Sequence, residues 1–168
     1  MGVQVPSGAL MKNKPPLKRE YSAGGVVYKR ETRSGKRKTL WLIGKHSGYH
    51  KWVLPKGLIE KGERSWQTAI RETEEEMGAK TRLVEEKPVK KLQYYYFIDK
   101  EKVFKTVTFY LLEYLSGNCQ KDHDWEMEKV EWFPFSKALK KLAFENEAQV
   151  LKEGRKLLGK AESQPKLF

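Results

Sequence analysis

Hydrophobic and polar residues alternate in several short runs along this chain, and once they fall into a clear helical period. Residues 21–29 (YSAGGVVYK) and 39–44 (TLWLIG) read as antiparallel strands joined across a charged turn at residues 31–38. Gly24-Gly25 marks a small-residue kink in the first of them. Residues 52–54 form a short strand ended by Pro55, and Pro55-Lys56-Gly57 turns the chain. Residues 83–97 and 103–115 alternate as two longer strands, the second central, and residues 128–134 add another short one. Ser136 is positioned to cap a closing helical region through about Leu158, broken near Asn146. The chain has no internal repeat.

The helical period runs from about Ser65 to Met77 and stops at Gly78. Trp66, Ala69, Ile70, Thr73 and Met77 share one side, the pattern of a face packed on a core. Glu72, Glu75 and Glu76 stand at i, i+3 and i+4 and share another. Strands on both sides of one helix, followed by a helical end, predict a layered α/β or α+β domain.

A length of 168 residues suits one well-buried domain. The division expected is a flexible arm at 1–18, a single domain at 19–160 and a flexible tail at 161–168, with Met11 an alternative start. Cys119 is the one cysteine, so no internal disulfide forms and a reducing cytoplasm is the expected location. No apolar run reaches membrane-spanning length, and the first 20 residues lack a signal-peptide core. No membrane partner is expected, and oligomeric state is not legible. The net charge of +12 draws anions, nucleotides and nucleic acid alike. The lysines are spread over five runs, with no single dense patch interleaved with aromatics, so most are read as solvated faces.

Three carboxylates at one helical edge repel each other unless cations lie among them. Hard oxygen donors of this kind suit magnesium, which bridges enzyme carboxylates to phosphate chains. A solvated acidic helix would show the same edge, yet it needs no Gly57, Glu63 or Arg71 at their spacings. The stretch GLIEKGERSWQTAIRETEEEMGA, residues 57–79, resembles the signature of Nudix hydrolases at Gly57, Glu63, Arg71, Glu72, Glu75, Glu76 and Gly78. Ala79 fits the small apolar end of that box, and Thr73 departs from it where an aliphatic residue is more usual.

The resemblance implies an α/β/α sandwich with a mixed sheet between helices, the box forming a loop, helix and loop at a cleft. It implies that Glu72, Glu75 and Glu76 hold Mg2+ (Mn2+ the alternative), helped by the Gly57 carbonyl, and that Arg71 pairs with Glu63. Beyond the box, SAGGVVY, WVLPKG and FKTVTFYL resemble the asymmetric diadenosine polyphosphate hydrolase branch, as does the spacing of Glu126, Trp132 and Phe144. Glu126 is then an additional metal ligand or general base, against the plain reading of a solvated loop carboxylate; Glu75 is the other candidate base.

Lys56 binds phosphate or merely solvates a turn, and Lys105 meets the phosphate chain or is a plain exposed lysine. Tyr94, Tyr95 and Tyr96 lie where this branch carries an adenine-stacking tyrosine, but alternation sends Tyr95 to one face and its neighbours to the other. Phe144 stacks on a base at the cleft rim or belongs to the core. His46, His50 and His123 are isolated and are not assigned as ligands, and no phosphate-cradling P-loop is present.

The expected activity is Mg-dependent hydrolysis of a nucleoside diphosphate linkage by water attack on phosphorus, with diadenosine tetraphosphate yielding ATP and AMP. The alternatives are a nucleoside triphosphate pyrophosphohydrolase, including one that clears oxidised nucleotides, and an RNA 5′-pyrophosphohydrolase. From another class comes a catalytically silent nucleotide- or RNA-binding module. The expected partner is thus a small nucleotide or dinucleoside polyphosphate, with RNA not required.

Overall fold

Neighbouring residues that are both buried set the architecture. Val26 and Val27, Leu42 and Ile43, and Leu111 and Leu112 are each at most 1% exposed. Successive strand residues point to opposite faces, so a sheet with such pairs must be covered on both sides. The structure, a computed structural model, describes residues 16–164. It contains β1 (Lys18–Arg33), β2 (Lys36–His46), β3 (Trp52–Val53), β4 (Lys56–Leu58), α1 (Ser65–Met77), β5 (Lys80–Leu83), β6 (Lys90–Ile98), β7 (Glu101–Ser116), β8 (Met127–Pro134), α2 (Phe135–Lys141) and α3 (Glu145–Ser163).

The strands form one mixed sheet with the order β3-β2-β1-β7-β5; β4 joins β1, β6 joins β7 and β8 joins β2. The central pair β1 and β7 is parallel, and the other pairs are antiparallel. Val27, Leu42 and Leu112 pack with Ala69 and Met77 of α1 on one face. Val26, Ile43 and Leu111 pack with Ala138 of α2 and Val150, Leu151 and Leu158 of α3 on the other. The result is the α/β/α sandwich, with α1 the one helix on its side among the described residues.

Local structure departs from the sequence expectation at several points. The turn between β1 and β2 is only Ser34-Gly35, both at positive φ, because the charged residues flanking it continue the antiparallel ladder beyond the core. Gly24-Gly25 does not kink the strand, whose register with β7 runs unbroken from Lys18 to Tyr28. A Cβ there would press on Phe109 at 2.7 Å and Thr73 Oγ1 at 2.6 Å, so these glycines admit close packing.

Residues 83–97 are not one strand: β5 and β6 both pair with β7, and the segment around Pro88 leaves that edge and rejoins it. Proline lacks the amide that a continuous ladder needs. The cap of α2 is Pro134 rather than Ser136, and the helical end is interrupted at residues 142–144, before Asn146. Finally, α3 continues through Ser163, so residues 161–163 are helical. Residues 1–15, including Met11, and 165–168 lie outside the described residues.

Candidate active site

Helix α1 forms over the expected residues. Gly78 ends it in the left-handed conformation, φ 67°, donating its N–H to the Glu74 carbonyl. The segment from β4 to α1 is held against the helix by Arg71. Its Nε donates to Glu63 Oε1 at 2.6 Å, its Nη2 to Glu63 Oε2 and to the Leu58 carbonyl at 3.1 Å each. Its Nη1 donates to Glu72 at 2.8 Å and Glu75 at 3.1 Å. Glu63 also accepts from Thr68 Oγ1 at 2.6 Å and from the Glu60 amide. The Arg71 and Thr68 bonds hold the Glu63 carboxyl down at about 2, while Arg71 itself is pushed above its ordinary value, chiefly by Glu63.

One turn further on, Glu76 is 6% exposed. Burial raises its carboxyl to about 9, against the Lys56 amide and the Lys56 charge, which favour the ionised form; the carboxyls of Glu126 and Glu72 raise it further. Glu72 is also raised, first by burial and, despite Arg71, by Glu75 and Glu126. Its carboxyl lies over Gly57, where any Cβ would overlap it. Glu126 reaches this edge from the loop before β8; that loop is fastened where Ser47 N donates to the Glu126 carbonyl at 2.8 Å.

Buried carboxylates that resist ionisation in each other's presence are a donor set suited to a hard divalent cation. Arg71 takes up Glu72 and Glu75, and among the described residues no three His, Cys, Asp or Glu side chains stand at ion-holding distance as they are. Glu75 is the outermost of the three, its side chain 54% exposed.

The short segment between β3 and β4 links this edge to the opposite face of the sheet. Lys56 N donates to Glu76 Oε2 at 2.9 Å, and Leu54 N donates to Glu147 Oε1 of α3 at 2.8 Å. Lys56 Nζ lies 3.9 Å from Glu147. A cavity of about 480 Å³ opens there, lined by Lys56, Tyr94, Tyr49, Phe144, Glu147 and Phe109 among others. Its mostly apolar wall with a few polar groups has the character of a small-molecule pocket.

Tyr94 therefore faces this cavity. Tyr96 lies on the same face of β6, its hydroxyl donating to Glu20 and its ring 6.5 Å from Tyr94. Tyr95 points to the other face and is 53% exposed, away from the cavity. Lys105 sits between Glu20, at 4.0 Å, and the Tyr96 ring; burial and then the Lys56 charge lower its affinity for the proton. Phe144 is a rim residue at 40% exposure, edge-on to Tyr49.

Two residues at this site escaped the sequence reading. Tyr49 stacks flat on His46, with centroids 3.9 Å apart, and burial pushes its hydroxyl to about 12. Glu147, 4% exposed, has its carboxyl raised by burial despite Lys56 and the Leu54 amide. A signal for it existed: with Val150, Leu151, Gly154 and Leu158 it shares the buried stripe of α3, where a carboxylate is out of place.

Comparison with known proteins agrees with this layout. A family described as NUDIX domain matches residues 18–153. The protein named MutT4 from Mycobacterium tuberculosis is 34% identical over 146 residues, 86% of this chain. The chain spans only 58% of that relative's length. The asymmetrical bis(5′-nucleosyl)-tetraphosphatase of Sus scrofa is 34% identical over 119 residues, 70% of this chain and 78% of that protein. A crystal structure of a C. elegans Ap4A hydrolase binary complex superposes with a TM-score of 0.65, covering 84% of this chain and 98% of that one. At 24% identity, that likeness speaks for the fold alone.

Proposed function

From the premise that this chain belongs to the NUDIX domain family, we propose that it hydrolyses a phosphoanhydride of a nucleotide, diadenosine tetraphosphate to ATP and AMP being its reaction. The observation that carries the reading is the buried Glu76, with Glu126 and Glu72 beside it, hydrogen-bonded at 2.9 Å to the amide of Lys56, which itself lines the cavity.

Glu72 and Glu76 are the residues that would hold Mg2+, with Glu75 and the Gly57 carbonyl at the outer edge. Bound there, the ion supplies a lowered water pKa and charge neutralisation on the phosphate oxygens. Arg71, gripping Glu63 and the Leu58 carbonyl, fixes the loop that carries Gly57 to the helix edge. Lys56 and Lys105 offer point charges to the phosphate chain on the way from the cavity to the carboxylates. Tyr94, Tyr49 and Phe144 present ring faces and edges to a base in the cavity. Glu126 takes the proton of the attacking water. Unlike Glu75, it is free of Arg71 and lies against Glu76.

A second reading rests on the cavity itself, which at about 480 Å³ suits one base. A nucleoside triphosphate pyrophosphohydrolase needs no more. Chromatographic product analysis with diadenosine tetraphosphate and dGTP in parallel separates the two. ATP plus AMP with slow dGTP turnover supports the first; dGMP plus pyrophosphate as the faster outcome supports the second.

A further inference from the structure

Among the described residues, α1 covers only part of its side of the sheet. Ala23 of β1 and Tyr110 of β7 belong to the core beneath α1. Farther along the same strands lie side chains of the same alternation: the exposed Arg19 and Tyr21 of β1, the exposed Lys102 and the half-buried Phe104 of β7. Arg19 lies opposite Phe104, which lies opposite Tyr95 of β6, and Lys102 lies opposite Phe97. Tyr21 is 55%, Tyr95 53% and Phe97 68% exposed. The rings of Tyr95 and Phe104 are 4.9 Å apart. Arg19 sits 5.3 Å over Phe104 and Lys102 4.2 Å over Tyr95.

Among the described residues the ends of these strands beyond α1, residues 18–21, 95–98 and 101–104, contribute no acidic side chain to this face; Glu31 shares the alternation but lies at the far end of β1, paired with Lys29. Glu20 and Glu101 have the opposite alternation, and Glu20 is tied to Tyr96 and Lys105 on the far side. Arg19, from one basic run, and Lys102, from none, thus share one layer with Tyr21, Tyr95, Phe97 and Phe104, because the register brings residues about 75 to 85 positions apart together.

We propose that this face docks a single-stranded nucleic acid. Exposed rings stack on any base because every base has a π-face, and cations beside them take the phosphates. A second copy of the chain is disfavoured by the same charges, which would meet their own kind on a molecule of net charge +12. A duplex buries its base faces and offers nothing to stack. The platform also borders the site: the Tyr21 carbonyl accepts from Ile59 N at 3.0 Å, next to Leu58, whose carbonyl accepts from Arg71. A strand lying on it thus runs beside the carboxylate edge. The inference does not depend on which nucleotide is cleaved.

Fluorescence anisotropy with a labelled 12-nucleotide oligo(rA), over a range of salt, tests it. The full chain should bind the single strand and not a duplex of equal length, with affinity falling as salt rises. Phe97→Ala should weaken binding about tenfold, as expected for loss of one stacked base. Lys102→Ala should reduce the salt slope by about 0.7. Both side chains are open to solvent, and hydrolysis of a dinucleoside polyphosphate should be unchanged in both. The proposal is overturned by no binding at low salt, by equal binding of the duplex, or by undiminished binding in both variants. A dimer in sedimentation that Phe97→Ala disperses, without oligonucleotide binding, would assign the face to a second copy instead.

Discussion

The backbone amide of Lys56 donates a 2.9 Å hydrogen bond to the carboxyl of Glu76, a side chain otherwise shut off from water. That bond alone does not keep the carboxyl ionised: burial, Glu126 and Glu72 raise it to about 9. A group whose folded-state value lies above its unfolded value of 4.5 stabilises the fold fully below 4.5. That contribution is lost as pH rises toward 9. Without divalent ions, denaturant unfolding should therefore show stability falling between about pH 5 and pH 9, and Glu76→Gln should flatten that slope. An ion that needs the ionised carboxyl should raise the wild-type Tm more at pH 8.5 than at pH 6. An equal slope in the variant would contradict the assignment.

Gly57 admits the Glu72 carboxyl over its own Cα. Gly57→Ala forces Glu72 to move, and a displacement of about 1 Å at a reacting centre costs roughly 100-fold in rate. Steady-state kinetics should show that loss mainly in kcat. The Tm should stay within a few degrees, because Glu72 is not part of the core.

Glu147 holds the segment between β3 and β4 from the opposite face. Glu147→Ala leaves the Leu54 amide buried without an acceptor, a loss of about 1–3 kcal/mol that urea unfolding would read. Glu147→Gln keeps the acceptor and should recover most of it. If both variants were equally unstable, the Leu54 bond would not be the cause.

The Glu63 carboxyl is held at about 2 by Arg71 and Thr68. Its contribution is present above its ordinary value of 4.5 and disappears as pH falls toward 2. Acid unfolding of Glu63→Gln should thus begin at higher pH than in the wild type. Near neutrality the variant should lose about 1 kcal/mol, typical of a charge-assisted pair that is not deeply buried.

The helix, its boundaries and its carboxylate edge were legible because one helix carries them, and helical periodicity is local. The two-faced sheet was legible in part: consecutive apolar pairs such as Val26-Val27 announce burial on both sides. Strand breaks were not, since β5 and β6 share one partner edge and only the tertiary register shows where the chain leaves it. The cavity was half legible. Lys56 sits beside the box, Tyr94 lies in a conspicuous tyrosine run and Glu147 stands out as a carboxylate in an apolar helical stripe, whereas Tyr49 acquires meaning only when α3 closes over the segment between β3 and β4. The basic aromatic face was not legible, because its members come from three separate strands.

The most direct test of the carboxylate site is the rate of diadenosine tetraphosphate hydrolysis against Mg2+ concentration, for the wild type and a Glu76→Gln variant with native circular dichroism. The account predicts Mg-dependent formation of ATP and AMP by the wild type and a loss of about 1000-fold in the folded variant, as for removal of a central electrostatic group. Near-wild-type turnover by the folded variant would contradict it.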